Sequence, residues 1–463
     1  MKKEDQKTLI GKINPDVLDF TVGKDPVLDL DLAVWDCLGT AAHVTMLSRM
    51  RVKPPVLTTE ERNQVVAALS DIIAEAKAGK FTITAADQDV HLAVERRLTE
   101  RLGDLGRKIH TGRSRNDQVA VDIRLLVKDQ LLGLTEEVAS LAEALAAFGK
   151  RHKMLPMVGR THLQPAMPNS VGVWSTAYAE LLLDDLLMVE AAYVYNDLCP
   201  LGSAAGYGVP LPLDRQLTAR LLGFARPHHN VMHASNARGK DEAFLLAACS
   251  QIMISLSRLA QDLILFSMPE FGYFVLPRDL CTGSSIMPQK YNPDVLELIR
   301  AKAALVQGYA ATANTLLTGM PGGYNRDLQD TKELYMEGLR VTRASLRIMR
   351  LLVESLEVRP DKLRAGFIPG VFATDKALEL VAGGMPFREA YQYVRSHLDD
   401  LESADPDAAV AAKTHEGATG GLCFCFYRDK IKQVRQWARE RRRFTEKAFE
   451  KLMRPVAAPA KNR

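Results

Sequence analysis

Little in this 463-residue chain is concentrated enough to mark a specialised class. Cysteine is scarce: six residues, at 37, 199, 249, 281, 423 and 425, with no CxxC pair. That spacing argues for reduced thiols in a reducing compartment rather than a disulfide framework. A charge bias is missing too. Sixty basic residues stand against 56 acidic ones, a net charge of +4, too little for bulk attraction to nucleic acid or an anionic membrane. No uninterrupted apolar run approaches the roughly 20 residues that span a bilayer, and the polar start from Met1 to Lys7 holds no signal-peptide core. A cytoplasmic location is the expectation. Neither a phosphate-cradling GxxxxGK[ST] loop nor a dinucleotide fingerprint is present, so no ATP, NAD or other cofactor is implied. His228, His229 and His233 invite a metal reading, but they lack cysteine partners and a helical HExxH pattern, and no metal is expected. Strand signals are sparse, with only Phe81-Thr82-Ile83-Thr84 reading as extended.

Helical periodicity is what the chain has in abundance. Leu245, Cys249, Ile252, Leu256, Leu259, Leu263 and Phe266 recur at alternating steps of four and three, a stripe that should face other helices. Alanines 243, 247, 248 and 260 in the same stretch permit close approach. Comparable patterns cover 119–148, 172–195, 294–316 and 330–356. An all-α protein follows, and its length calls for two or three domains. We expect an N-terminal helical domain at 1–112, a central long-helix bundle at 113–362 carrying the oligomer interface, and a C-terminal helical domain at 363–463. The basic tract from Arg439 to Arg443 reads as a solvated helix face, with Glu440 and Glu446 interspersed.

Against this background one loop stands out: Gly283-Ser284-Ser285-Ile286-Met287-Pro288-Gln289-Lys290-Tyr291-Asn292-Pro293. Glycine and two prolines punctuate the backbone, so it is not the middle of a helix. A hydroxyl, an ammonium and an amide on one loop suit proton abstraction beside a carboxylate, where negative charge develops and must be held.

This string resembles the GSSxMPxKxNP motif of the fumarase/aspartase superfamily at every fixed position. Three further segments resemble the argininosuccinate lyases within it: His110-Thr111-Gly112-Arg113-Ser114-Arg115-Asn116-Asp117-Gln118-Val119, Gly159 to Pro168, and Gly323 to Gln329. Ala373-Thr374-Asp375 and Met385 to Ala390 look like the C-terminal domain of the same enzymes, so the resemblance runs from about residue 20 to about residue 395. It implies a fumarase/aspartase-like fold, a homotetramer whose active sites collect residues from three subunits, and β-elimination of argininosuccinate to arginine and fumarate.

The resemblance also implies site residues. Ser284 matches the catalytic serine, and His162 is the second proton-transfer group, with Glu297 its carboxylate partner. Lys290 and Asn292 match the positions that hold the doubly charged aci-carboxylate intermediate. We favour Ser284 as base, because the positive charge beside it stabilises its alkoxide; the opposite assignment, with His162 as base, uses the same residues and stays open. Ser114, Arg115, Asn116 and Thr161 match carboxylate-binding positions. Tyr324, Gln329 and Lys332 match positions for the arginine half, with Lys332 expected to meet its α-carboxylate.

Three stretches depart from the family pattern. The WGGRF-like opening and its following serine are replaced by Phe20-Thr21-Val22-Gly23-Lys24-Asp25-Pro26, Gly202 to Pro210 stands for the commoner GSGALAG, and His233 to Lys240 for an acidic stretch. Two alternatives accompany the leading reading. One is another fumarate-releasing lyase, such as one acting on adenylosuccinate. The other is a non-enzymatic crystallin-like structural protein, which the joint presence of Ser284, Lys290, Asn292, His162 and Glu297 argues against.

Overall fold

The computed structural model describes residues 7–8, 11–84 and 86–457. Helices α1 (Ala33–Leu47), α2 (Thr59–Lys77) and α3 (Val90–Leu102) pack as an N-terminal cluster. Thr58 and Glu61 open α2 with a reciprocal capping box, each side chain accepting the other residue's backbone N–H. The chain then enters α4 (Arg115–Arg151), whose 37 residues make a rod of about 55 Å. A hairpin follows, β1 (Pro156–Thr161) antiparallel to β2 (Gln164–Ser170). Four more long helices complete the bundle: α5 (Val171–Asn196), α6 (Lys240–Ser267), α7 (Asp294–Leu317) and α8 (Thr331–Glu354). A last helix, α9 (Phe424–Met453), runs back along α4 to the N-terminal cluster, where Arg62 donates to the carbonyls of Leu452 and, at 2.8 Å, Arg454. The architecture is all-α.

Side-chain contacts fix the direction of each helix. At one end, Asn196 donates to the Arg124 carbonyl at 2.8 Å, Arg124 lies 3.3 Å from Asp241, and Thr331 bonds Glu242. The start of α4 thus meets the end of α5 and, through α6, the start of α8. At the opposite end the Trp174 indole donates to Asp262 at 2.9 Å and Arg300 donates to Gln261, joining the start of α5, the end of α6 and the start of α7. The five helices therefore run alternately up and down. We call the first end proximal, since the N-terminal cluster sits there, and the second distal.

The periodic stripe of α6 is entirely interior: Leu245, Cys249, Ile252, Leu256, Leu259 and Leu263 are at most 1% exposed. It faces other helices, as its periodicity requires, and those helices belong to the same chain: α5, α7 and α8 surround it. By length and hydropathy α6 is the one helix among the described residues apolar enough to cross a membrane, but 67% of its apolar window is buried in this core. The uncovered apolar face lies on α7. Leu298 and Leu305 are 55% and 51% exposed, and Ala301, Ala304, Gly308 and Ala311 continue the same exposed surface.

Two smaller expectations are corrected. Phe81 to Thr84 joins no strand among the described residues; Thr84 instead donates to Asp87 through its backbone N–H and its hydroxyl, at 2.8 and 2.7 Å. Cys423 and Cys425, read as free thiols, are joined by a disulfide, the turn into α9 bringing their Cα atoms to 5.3 Å. The other four cysteines are free.

Candidate active site

The bundle divides the expected site residues between its two ends. His162, Thr161, Ser284, Lys290, Asn292 and Glu297 lie distally. Ser114, Arg115, Asn116, Tyr324, Gln329 and Lys332 lie proximally. The loop around Ser284 precedes α7 and the segment around Tyr324 follows it, so 24 residues of helix, about 36 Å, stand between them.

At the distal end, Thr282–Gly283 pairs antiparallel with Tyr291–Asn292, pinching residues 284–290 into a closed loop. The Ser284 hydroxyl oxygen accepts the backbone N–H groups of Met287 and Ile286, at 3.1 and 3.4 Å. Two donors aimed at one oxygen are an arrangement that stabilises an alkoxide. Lys290, Asn292 and Glu297 line one cavity of about 1010 Å³ with Arg278, Arg359 and Lys362. Those last three cations carry no motif and were not anticipated; Arg278 also stacks over Tyr291 at 4.9 Å.

His162 is carried by the hairpin that joins α4 to α5. It is found at the tip of the β1–β2 hairpin, where Thr161 faces Gln164 and the two turn residues, His162 and Leu163, have φ of 53° and 63°. Left-handed backbone at both central positions is the type I′ geometry that matches strand twist, and for a leucine it is strained. Arg160 secures the turn, donating to the Leu163 carbonyl at 3.0 Å while its guanidinium lies 4.8 Å from the Phe271 ring centre. The imidazole is exposed, and among the described residues no hydrogen bond joins it to Ser284, Lys290 or Glu297.

Proximally, Ser114 caps the 37-residue α4, accepting the Asn116 N–H at 3.2 Å in a capping box with Asp117. The N-terminus of so long a helix favours an anion at Ser114–Asn116. Arg115, however, pairs with Asp89 at 2.9 Å. Asp117 does more than cap: its second oxygen accepts the N–H groups of Gly202 and Ala204 at 2.9 and 3.0 Å. Burial pushes its pKa up to about 6, against the downward pull of those hydrogen bonds. Beneath it, His91 sits 2.8 Å from Asp36 and 3.5 Å from Asp122, and burial together with the Asp36 charge lifts Asp122 well above the carboxylate range. We expect Asp117→Ala to release both the 114–116 turn and the 202–204 turn, costing about 3 kcal/mol or more for three charge-assisted bonds. Urea unfolding, with KM measured in parallel, checks this.

The arginine-half residues are mostly engaged within the chain. Lys332 is not free to meet a carboxylate: it is buried, its ammonium 2.9 Å from Asp25 and 2.5 Å from Asp29. Burial works against its charge, but the two aspartates outweigh that and raise its pKa above the ordinary lysine value. Gln329 is also committed, donating to the Thr21 carbonyl at 2.9 Å and accepting from Arg326 at 2.9 Å. Lys24 pairs with Glu333 at 2.5 Å. The segment that departs from the family pattern has thus folded over these residues, and only Tyr324 keeps an exposed face, its ring 5.4 Å from the Arg238 guanidinium. Asp25 and Asp29 were missed because the sequence puts them some 300 residues from Lys332.

A family model described as "Lyase" matches residues 33–308. The fold also resembles that of an EDDS lyase solved with formate (TM-score 0.77, 24% identity, covering 95% of this chain and 94% of that one). It is similar as well to a class II fumarase from Schistosoma mansoni (TM-score 0.71, 16% identity, covering 92% and 98%). Among curated relatives, the argininosuccinate lyase of Sorangium cellulosum is 44% identical over 412 residues, 89% of this chain and 95% of that protein. The argininosuccinate lyases of Parabacteroides distasonis and Thermotoga neapolitana are 43% and 41% identical, over 89% and 82% of this chain and 91% and 95% of those proteins. The chain belongs to the argininosuccinate lyase family.

Proposed function

We propose that this lyase cleaves argininosuccinate to L-arginine and fumarate by β-elimination. The observation that carries the mechanism is the Ser284 loop, with two backbone donors on the hydroxyl oxygen and Lys290 and Asn292 on the same loop. A proton leaves the carbon next to a succinyl carboxylate, the resulting aci-carboxylate dianion is held by Lys290 and Asn292, and the guanidino nitrogen departs with a proton. The two N–H groups on Ser284 support its role as base, which leaves His162 as the acid.

The assembly we propose is a homotetramer in the cytoplasm, with each site collecting distal and proximal ends from three different chains. The 36 Å or so separating the two groups along α7 supports this reading, and the uncovered α7 face offers the contact. The Lys332–Asp25–Asp29 cluster carries net charge −1, so we assign this corner to the substrate's α-ammonium rather than its α-carboxylate. Incubating the pure protein with argininosuccinate, adenylosuccinate and malate, while following fumarate by its ultraviolet absorbance, tests the substrate. Turnover of adenylosuccinate alone would overturn the reading.

Lys332→Met is expected to destabilise the fold rather than act on KM alone. Removing the ammonium leaves two buried carboxylates uncompensated, a loss of about 3–5 kcal/mol. Because the folded pKa is raised, this contribution is full below the ordinary lysine value of 10.5 and disappears as pH climbs through the raised one. Melting curves at neutral and strongly alkaline pH check both size and sign.

A further inference from the structure

A second cavity lies in the connection between α5 and α6, and its lining includes none of the catalytic or substrate-binding residues assigned above. It measures about 370 Å³ and is lined by Asp214, Arg215, Gln216, Arg226, His228 and His229, with Leu213 and Pro227 closing it. His228 is the unusual member. It is 1% exposed, and neither ring nitrogen has a hydrogen-bond partner among the described residues. Its backbone is pinned by an N–H bond to the Cys199 carbonyl at 3.0 Å, and its ring meets that of His233 edge-on at 5.0 Å. A buried imidazole with both nitrogens idle is a costly arrangement that calls for a partner.

The surroundings say what kind. One terminal nitrogen of Arg215 is buried and equally unpartnered, while its Nε reaches only the Leu201 carbonyl at 3.4 Å. Arg226 donates to the Pro227 carbonyl at 3.2 Å, and among the described residues neither arginine has a carboxylate partner. Asp214, whose carboxylate also caps the following turn through the Leu217 N–H at 2.9 Å, offsets one of these two charges and leaves the other. The charged and titratable groups facing His228 are Arg124, His233, Arg215 and Arg226; with burial, they push its pKa down to about 3. Of these only Arg124 has an acidic partner, Asp241. Two forked cations and a buried imidazole thus converge on a concave space with a surplus of positive charge, a donor set that matches an oxyanion.

We propose that this cavity binds a small dianionic oxyanion of sulfate or phosphate size, gripped by Arg215 and Arg226, with His228 taking up a proton to become the third donor. Burial first and the neighbouring cations second keep the imidazole neutral; an anion beside it offsets those cations and favours the charged form, so binding and protonation are linked, and affinity rises as pH falls. The site also adjoins the proximal end, since Arg215 packs on Gly202, whose N–H holds Asp117.

Sulfate is the probe, since its charge is constant over the range needed. Calorimetric titration of the full-length protein at pH 6 and pH 8, in buffers of differing ionisation heat, should show saturable binding, tighter at pH 6, with net proton uptake. Arg215→Met should weaken it by about tenfold or more. His228→Leu, close in size and apolar, should keep the fold and lose the proton uptake. Lys290→Met, which alters the cavity at the distal end, should leave both unchanged. Absence of saturable binding would overturn the proposal, as would binding that survives Arg215→Met or is lost with Lys290→Met.

Discussion

Ser284→Ala is expected to lower turnover by between about a hundredfold and ten-thousandfold, the usual worth of a positioned proton-transfer group. The fold survives, because the hydroxyl serves its own loop only as an acceptor for the Ile286 and Met287 N–H groups, on an exposed segment that solvent can resatisfy. Substrate binding should survive as well, since Lys290 and Asn292 stay in place. The comparison is therefore of kcat at an unchanged melting temperature. If the variant kept activity within about tenfold of the parent, a barrier change of about 1.4 kcal/mol, Ser284 would be neither base nor acid. The wider the gap between kcat and KM effects, the stronger the case that the hydroxyl acts on the transition state alone.

Leu305→Asp on α7 is expected to abolish activity without touching any catalytic side chain. A carboxylate buried between helices without a partner is costly enough to separate chains, and each separated chain carries its distal and proximal groups at opposite ends of one rod. Light scattering should report a smaller species and the fumarate assay none of the activity. A sharper form of the same test mixes two inactive variants, Ser284→Ala and Arg115→Met, after partial unfolding and reassembly. If a site takes Ser284 from one chain and Arg115 from another, random mixing leaves about a quarter of sites with both intact. Recovery of that order supports the divided site; no recovery, or a fully active monomer of Leu305→Asp, refutes it.

The helices were legible because their apolar periodicity is strong and local. Spans read at 172–195, 294–316 and 330–356 correspond to Val171–Asn196, Asp294–Leu317 and Thr331–Glu354. The hairpin bearing His162 was not legible, since its strands hold Pro156, Pro165 and Pro168 and run from buried at their base to exposed at the turn, which erases the alternation that marks a strand. The α6 stripe was legible only in part: a periodic apolar face announces burial but not by which chain. Motif spacing located Ser284, Lys290 and Asn292 on one loop. It carried no information about Asp25 and Asp29, whose partner lies elsewhere in the chain and whose own segment departs from the family pattern. Lys332 accordingly looked available on paper and is paired with two aspartates in space.

The bare flank of α7 also bears on how the protein is made. A newly synthesised chain can complete its interior around α6 unaided, yet it then presents Leu298, Leu305 and the alanines between them to whatever it meets first. Encounter with a sister chain competes with sticking to anything else, and the two outcomes scale differently with concentration. Refolding from denaturant should therefore pass through an optimum: too dilute, and half-finished chains linger; too concentrated, and they clump. Slow induction at low temperature, which keeps the pool of solitary chains small, is the regime in which this protein should be produced.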